Sequence, residues 1–340
     1  MSKPLFLSLD VLPRHSYSFL WADYVELLCL CSKNGIVAKN NLQAQQQEAE
    51  DLQIDAGEDE WNFTKHDSQT SDDGDFGNLN DTECLDDRVT RRWGDIKNRL
   101  HARSSSFPGW PFELDGDVLR VKFDVHNSEH RLYVSLLIAS TLRLCHNERS
   151  AEVTSAFEEI SYHWLRQAVA GVWQVRPFGA HQTLPNAYVG SLRAKLEALA
   201  ADVKGILVKP SSDYDPRDTG DGGIDLVAWY DMGDNRGNMQ VIFGQCACSP
   251  TDWESKQLDV SPASTEAHIY LQHPAAAYCF VPHDLSMDDK RWQRAAHIKR
   301  TVVVDRLRLL NLFRAEKTWN RLPSWPFVIE ATQKTAVLAT

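Results

Sequence analysis

The 340-residue sequence predicts an α/β protein in which a mixed sheet is flanked by helices and preceded by a mainly helical N-terminal adaptor region. Two observations carry this prediction. From residue 147 onward, segments with apolar residues at helical spacing alternate with short runs rich in β-branched and aromatic residues, each run bounded by Gly, Pro or Asp. Before residue 147, helical periodicity dominates and is cut by a single acidic tract.

Residues 17–31 present a helical apolar face that stops at Ser32-Lys33-Asn34-Gly35, with Gly35 on the C-cap side. A second short helix is expected to begin near Val37, closing an N-terminal helical element over 1–42. This helix-turn-helix-like start reads as a winged-helix or docking element, or as an amphipathic helix packed on its own domain. Residues 43–87 have almost no apolar periodicity and are expected to form a disordered linker or insertion. Between Glu48 and Asp87, fifteen acidic residues stand against one base, Lys65, so the rest of the chain is mildly basic although the formal net charge is −11. The tract is either a solubilising loop or a nucleic-acid mimic that shields a basic cleft.

A basic amphipathic helix is expected from Arg88 to about Arg103, with Asp86 and Asp87 favourably placed at its positive end. Arg88, Arg91, Arg92, Lys97, Arg99 and Arg103 suit a phosphate backbone, an acidic partner or a solvated face. A strand over 118–125 and a Leu-rich buried helix over 131–144 complete an adaptor region spanning 88–146, which is expected to pack on the domain formed by 147–340.

In that domain a helix opens at Ala151 and runs to about Ala170, followed by an alternating strand over 172–179. An excursion over 182–219 holds a helix at 189–203. The turn Gly220-Asp221-Gly222-Gly223 then delivers the strand Ile224-Asp225-Leu226-Val227-Ala228, and a second apolar run, 239–244, ends at Gln245. Ser249-Pro250 is a helix start, with Trp253 to Leu258 continuing it. A buried strand over 275–282, a short β-branched strand over 301–305 and a helix over 306–315 finish the core.

A carboxylate entering one strand and an amide oxygen ending the next form a plausible hard-cation site. As an isolated string, Gly-Asp-Gly-Gly is an ordinary turn that Asp221 caps. In context the segment resembles the PD-(D/E)xK, or restriction-endonuclease-like, superfamily and within it the Mrr-like branch, where a Gly-Gly-Ile/Val-Asp strand is followed by a strand ending Gln-x-Lys. Phe157-Glu158 resembles the Phe-Glu of that family's first core helix, and the order helix, strands, helix, strand resembles its α-β-β-β-α-β core. The chain departs from the pattern at Ala247, which stands in place of the family lysine. Lys256, on the helix after the strand, is the candidate replacement.

The resemblance implies a Mg²⁺-dependent DNA endonuclease, with Mn²⁺ as a substitute. Asp225, the Gln245 side-chain oxygen and the backbone carbonyl of Cys246 would be ligands, Glu158 would hold a second metal or an outer water, and Lys256 would orient the attacking water. It also implies a bacterial restriction or anti-phage setting beside an ATPase or sensor, since the sequence has no phosphate-binding loop of its own. The alternative is a nuclease-fold subunit without activity that binds DNA or scaffolds a complex. Arg291, Arg294, Lys299 and Arg300 around Trp292 suit a nucleic-acid face, or snorkel over the core.

The seven cysteines are odd in number and scattered, which fits a reducing, cytoplasmic compartment better than a disulfide framework. Zinc held by Cys246, Cys248, Cys279 and His283 is a competing reading, set against buried strand cysteines. An enzyme of other chemistry around His273, Cys279 and His283 lacks a defensible nucleophile–base spacing. No apolar run is long enough to span a bilayer, and no signal peptide is apparent. Oligomeric state is not legible.

Overall fold

In the computed structural model, which describes residues 3–13, 17–45, 85–179, 184, 187–287, 291–293 and 295–333, the N-terminal half opens with helix α1 (Ser18–Cys31) and strand β1 (Ile36–Ala38). Helix α2 (Leu85–Ser106), strands β2 (Phe112–Asp115) and β3 (Val118–Val121) and helix α3 (Ser128–Ser140) follow. β1 and β2 flank β3 in a small antiparallel sheet. The helix expected near Val37 starts at residue 39 instead, because Ile36–Ala38 pairs with β3 and buries Val37. The acidic residues 46–84 lie outside the described residues.

The second half begins with helix α4 (Asn147–Ala168), strand β4 (Trp173–Pro177), helix α5 (Leu192–Val203) and strand β5 (Ile206–Leu207). Strands β6 (Leu226–Tyr230) and β7 (Val241–Cys246) follow, then the single-turn helices α6 (Trp253–Lys256) and α7 (Pro262–Thr265). Strands β8 (Ile269–Tyr270), β9 (Ala276–Phe280) and β10 (Val302–Val304) and helices α8 (Arg306–Glu316) and α9 (Pro326–Thr332) end the described chain.

Five strands form an open mixed sheet in the order β10-β9-β7-β6-β4. β4, β6 and β7 are antiparallel neighbours, whereas β7, β9 and β10 run parallel. Strand alternation sorts their side chains between two faces. Leu226, Ala228, Ile242, Phe280 and Val304 pack with Phe157 and Ile160 of α4 and with Leu309 and Leu310 of α8. On the other face, Val227, Trp229, Val241, Phe243 and Ala277 pack with Leu196 and Leu199 of α5. Ala247, Cys279, Val281 and Val303 meet Phe19 of α1 and Trp253 of α6 there. The first cluster also takes in Trp21, Trp93, Leu119 and Leu136, so the N-terminal half shares a continuous core with the sheet.

Charged side chains inside that shared region join the two halves. Arg306, at the start of α8, makes a two-pronged pair with Asp23 of α1 at 2.9 and 2.9 Å. Arg103 of α2 pairs with Asp23 at 2.8 Å, Glu26 at 3.0 Å and Asp284 at 3.0 Å, and Arg99 reaches Asp284 at 3.1 Å. Burial works against the charged form of Asp23, but Arg306 and Arg103 outweigh it and hold the carboxyl down at about 2. Arg99 and Arg103, read from sequence as phosphate contacts or a solvated face, are thus interior structural ions. Each has acid partners, which an isolated buried guanidinium would need.

Candidate active site at the rim of the sheet

The turn before β6 has a shape that favours glycine. Gly222 and Gly223 adopt φ of +63° and +81°, and a Cβ on Gly223 would stand 2.7 Å from Asp259 Cβ. Asp221 braces the turn, its Oδ1 accepting from the Gly223 amide at 2.8 Å. Asp225 follows, stitched between neighbours: its amide donates to the Gly244 carbonyl at 2.9 Å and its carbonyl accepts from the Phe178 amide at 2.8 Å. Its carboxylate Oδ2 accepts from the backbone N–H of Cys246 at 2.6 Å. Asp225 lies one residue beyond the Leu226–Gly244 pair and Gln245 one residue beyond it on β7, so the two meet at one rim of the sheet.

Gln245 is 6% exposed, and its Oε1 has no hydrogen-bond partner among the described residues. Its Nε2 donates to the Cys246 carbonyl at 3.4 Å. A buried amide oxygen left without a donor loses its hydration with nothing in return, which marks a place where an absent ligand would be accepted.

Acid charge accumulates at this rim. Burial, and then the neighbouring Glu158, push the Asp225 carboxyl well above the usual carboxylate range; Asp221 adds to this, whereas the Cys246 N–H and Lys256 oppose it. Glu158, projecting from α4, is pushed up to about 7 by burial and by Asp221. Glu158 thus arrives from the helix on one face of the sheet and Lys256 from α6 on the other, with Asp225 under the influence of both.

Lys256 occupies the last residue of a single helical turn instead of a helix reaching Leu258. Asp252, not Ser249, stands at its N-cap position, and Ser249 braces the turn before it, its Oγ accepting from the Asp252 amide at 3.2 Å. The Lys256 ammonium sits 3.3 Å from Asp259. Ala247 is buried among apolar side chains, so the strand brings no cation of its own. The loop after β9 is tied to α6 by Gln257, whose Nε2 donates to the His297 carbonyl at 3.0 Å and whose Oε1 accepts from the Lys299 amide at 3.0 Å. Glu254 of α6 also meets the His297 ring. Lys299 and Arg300 therefore stand exposed beside the turn that carries Lys256, and Arg291 is exposed on the same loop. Arg294 lies outside the described residues.

Glu158 and Lys256 thus both act on Asp225, and Gln245 ends the adjacent strand. For Cys246 the observed contact to Asp225 is made by its N–H, while its carbonyl faces the Gln245 amide. Among the described residues no three His, Cys, Asp or Glu side chains are grouped to hold a metal ion. A cation here would rely on the amide and backbone oxygens as well as carboxylates. The competing zinc set does not assemble: Cys279 pairs in register with Gln245, whereas Cys246 faces α4, and His283 Nε2 is engaged with the Cys248 carbonyl at 3.0 Å. Burial also pushes the Cys279 thiol up to about 12 and His283 down to about 4.

Sequence reasoning passed over two acids and a base at the rim. Asp221 was read as a turn cap although its charge bears on both Glu158 and Asp225, and Asp259 was not singled out. Lys195 was hidden in the helix between the first two strands. For Asp221, acid spacing within Gly-Asp-Gly-Gly-Ile-Asp was the available signal; for Asp259 and Lys195 there was none, because their neighbours come from distant sequence. No family model, curated protein or solved structure matches the chain.

Proposed function

We propose that the chain is a metal-dependent nuclease of the PD-(D/E)xK, restriction-endonuclease-like class that hydrolyses phosphodiester bonds in DNA. The observation that carries this reading is the rim itself: a half-buried acid pair, Asp225 and Glu158, beside the orphaned Gln245 oxygen, with Lys256 acting on Asp225 from the opposite layer. The order α4, β4, β6, β7, α6, β9 supports it, being the helix, three strands, helix, strand arrangement that the sequence resembles.

The residues fit a hard divalent cation such as Mg²⁺ or Mn²⁺. When bound, the ion supplies a Lewis acid and a more acidic water. Asp225 and Gln245, with the Cys246 carbonyl, would hold it. Glu158, which titrates near neutrality, exchanges a proton at its carboxylate or orients an outer water. Lys256 places positive charge where negative charge builds on the phosphate, and the exposed Arg291, Lys299 and Arg300 receive the flanking backbone. By the same resemblance, the nuclease serves bacterial restriction or anti-phage defence with an ATPase or sensor partner.

One observation favours a second reading, that of an inactive DNA-binding or scaffolding subunit: Ala247 removes the strand lysine and Lys256 is engaged with Asp259. Incubating plasmid with Mg²⁺ or Mn²⁺ separates the two. The nuclease reading expects cleavage that Asp225→Ala abolishes and Lys256→Ala strongly reduces. Retained DNA binding without cleavage under any condition establishes the scaffold.

A further inference from the structure

The acidic turn is held from behind by a helix that lies outside the helix–strand order just described. Lys195 of α5 is 4% exposed, and its ammonium donates to the Thr219 carbonyl at 2.7 Å and the Gly220 carbonyl at 3.0 Å. Among the described residues no carboxylate lies within ion-pair distance of it. The same helix end grips the turn twice more. The Leu192 amide donates to the Asp218 carbonyl at 2.7 Å, and a Cβ on Gly222 would come within 3.3 Å of the Leu192 side chain.

From that anchor the chain is hydrogen-bonded at successive steps to the site. Asp218 Oδ1 accepts from the Gly220 amide at 2.8 Å, Asp221 Oδ1 from the Gly223 amide at 2.8 Å, and the Asp221 carbonyl from the Ile224 amide at 3.2 Å. Asp225 is next. A buried ammonium answered only by peptide oxygens is an expensive way to fill a helix position, where Leu or Met would pack without desolvating a charge. Thr219 and Gly220 are themselves exposed, so their carbonyls would be satisfied by water if the ammonium did not draw them inward.

We propose that Lys195 is a positioning residue for the Asp225 site, its charge fixing the acidic turn against α5 and so setting where Asp221 and Asp225 stand. The inference rests on the metal-site reading above for its functional meaning. Loss of an outer support of this kind typically weakens a metal site by about 10–100-fold.

The test uses the full-length protein as wild type, Lys195→Met, Lys195→Arg and Lys195→Gln, with Mn²⁺ alone as probe and Asp225→Asn as the reference for the site. The expected result is at least about tenfold weaker Mn²⁺ binding in Lys195→Met, recovered in large part by Lys195→Arg, with thermal melting little changed. Wild-type affinity in Lys195→Met overturns the proposal. If Lys195→Met does not fold, Lys195→Gln, which keeps a donor but no charge, must show the same loss. If the wild type itself binds no Mn²⁺ through Asp225, the metal reading fails. The proposal is then decided by amide hydrogen exchange over residues 220–225, which is faster in Lys195→Met if the turn is released and unchanged if Lys195 plays no such part.

Discussion

Among the described residues, a fully buried group of charged side chains and a half-buried one at the sheet rim are built in opposite ways. Between the N-terminal helices and α8, three buried acids each have a base: Asp23 faces Arg306 and Arg103, Glu26 faces Arg103, and Asp284 faces Arg99 and Arg103. At the sheet rim, Asp225 and Glu158 face each other and Asp221, with Lys256 the opposing cation acting on Asp225. Burial acts on both groups in the same direction, yet Asp23 is held at about 2 and Glu158 is pushed up to about 7. The difference is the partner charge. A closed set of ion pairs serves cohesion, whereas an excess of half-buried acid suits a cation.

Replacing the central rim acid should break the comparison most visibly. Asp225→Asn is expected to reduce Mg²⁺-dependent plasmid cleavage by at least about a thousandfold, with an unchanged circular dichroism spectrum; an unimpaired variant would remove Asp225 from the site. In the closed group the effect falls on stability instead. Asp23→Asn leaves two buried guanidinium groups short of charge and should destabilise the protein by about 3–5 kcal/mol, read as a fall in the urea midpoint, while metal affinity at the rim is unaffected.

The pH dependence sharpens the contrast. A bound cation requires ionised carboxylates, so Mn²⁺ affinity should rise about tenfold between pH 6 and pH 8 as Glu158 loses its proton near 7. A flat profile would contradict the shift. Without metal the sign reverses. Folded Glu158 binds its proton more tightly than the unfolded chain, so its contribution to stability is full below about 4.5 and is lost as pH rises through about 7. Glu158→Gln should therefore match the wild type at pH 4 and exceed its metal-free stability at pH 8 by on the order of 1–3 kcal/mol. Least affected should be Asp259→Asn, which breaks a half-exposed pair with Lys256 and should change stability by less than about 1 kcal/mol, as read by thermal melting.

Much of the second half of the fold was legible because its signals are local. Turn glycines marked β6 and a β-branched run marked β10. α6 was overread because Ser249-Pro250 starts a turn but does not determine how far it continues. The N-terminal half was less legible. Ile36–Ala38 becomes a strand by pairing with β3, some eighty residues away, and Arg103 is buried because Asp23, Glu26 and Asp284 come to meet it. The same limit applied at the rim: Asp225 and Gln245 stood out as ends of adjacent strands, whereas the influence of Asp221 and the grip of Lys195 depend on the folded turn.

The most direct measurement is an anomalous-scattering map from crystals of the full chain soaked in Mn²⁺. The account predicts a peak at the sheet rim about 2.1 Å from an Asp225 carboxylate oxygen and the Gln245 Oε1, absent in Asp225→Asn. Crystals that take up Mn²⁺ elsewhere, or a rim that stays empty at saturating metal, would contradict it.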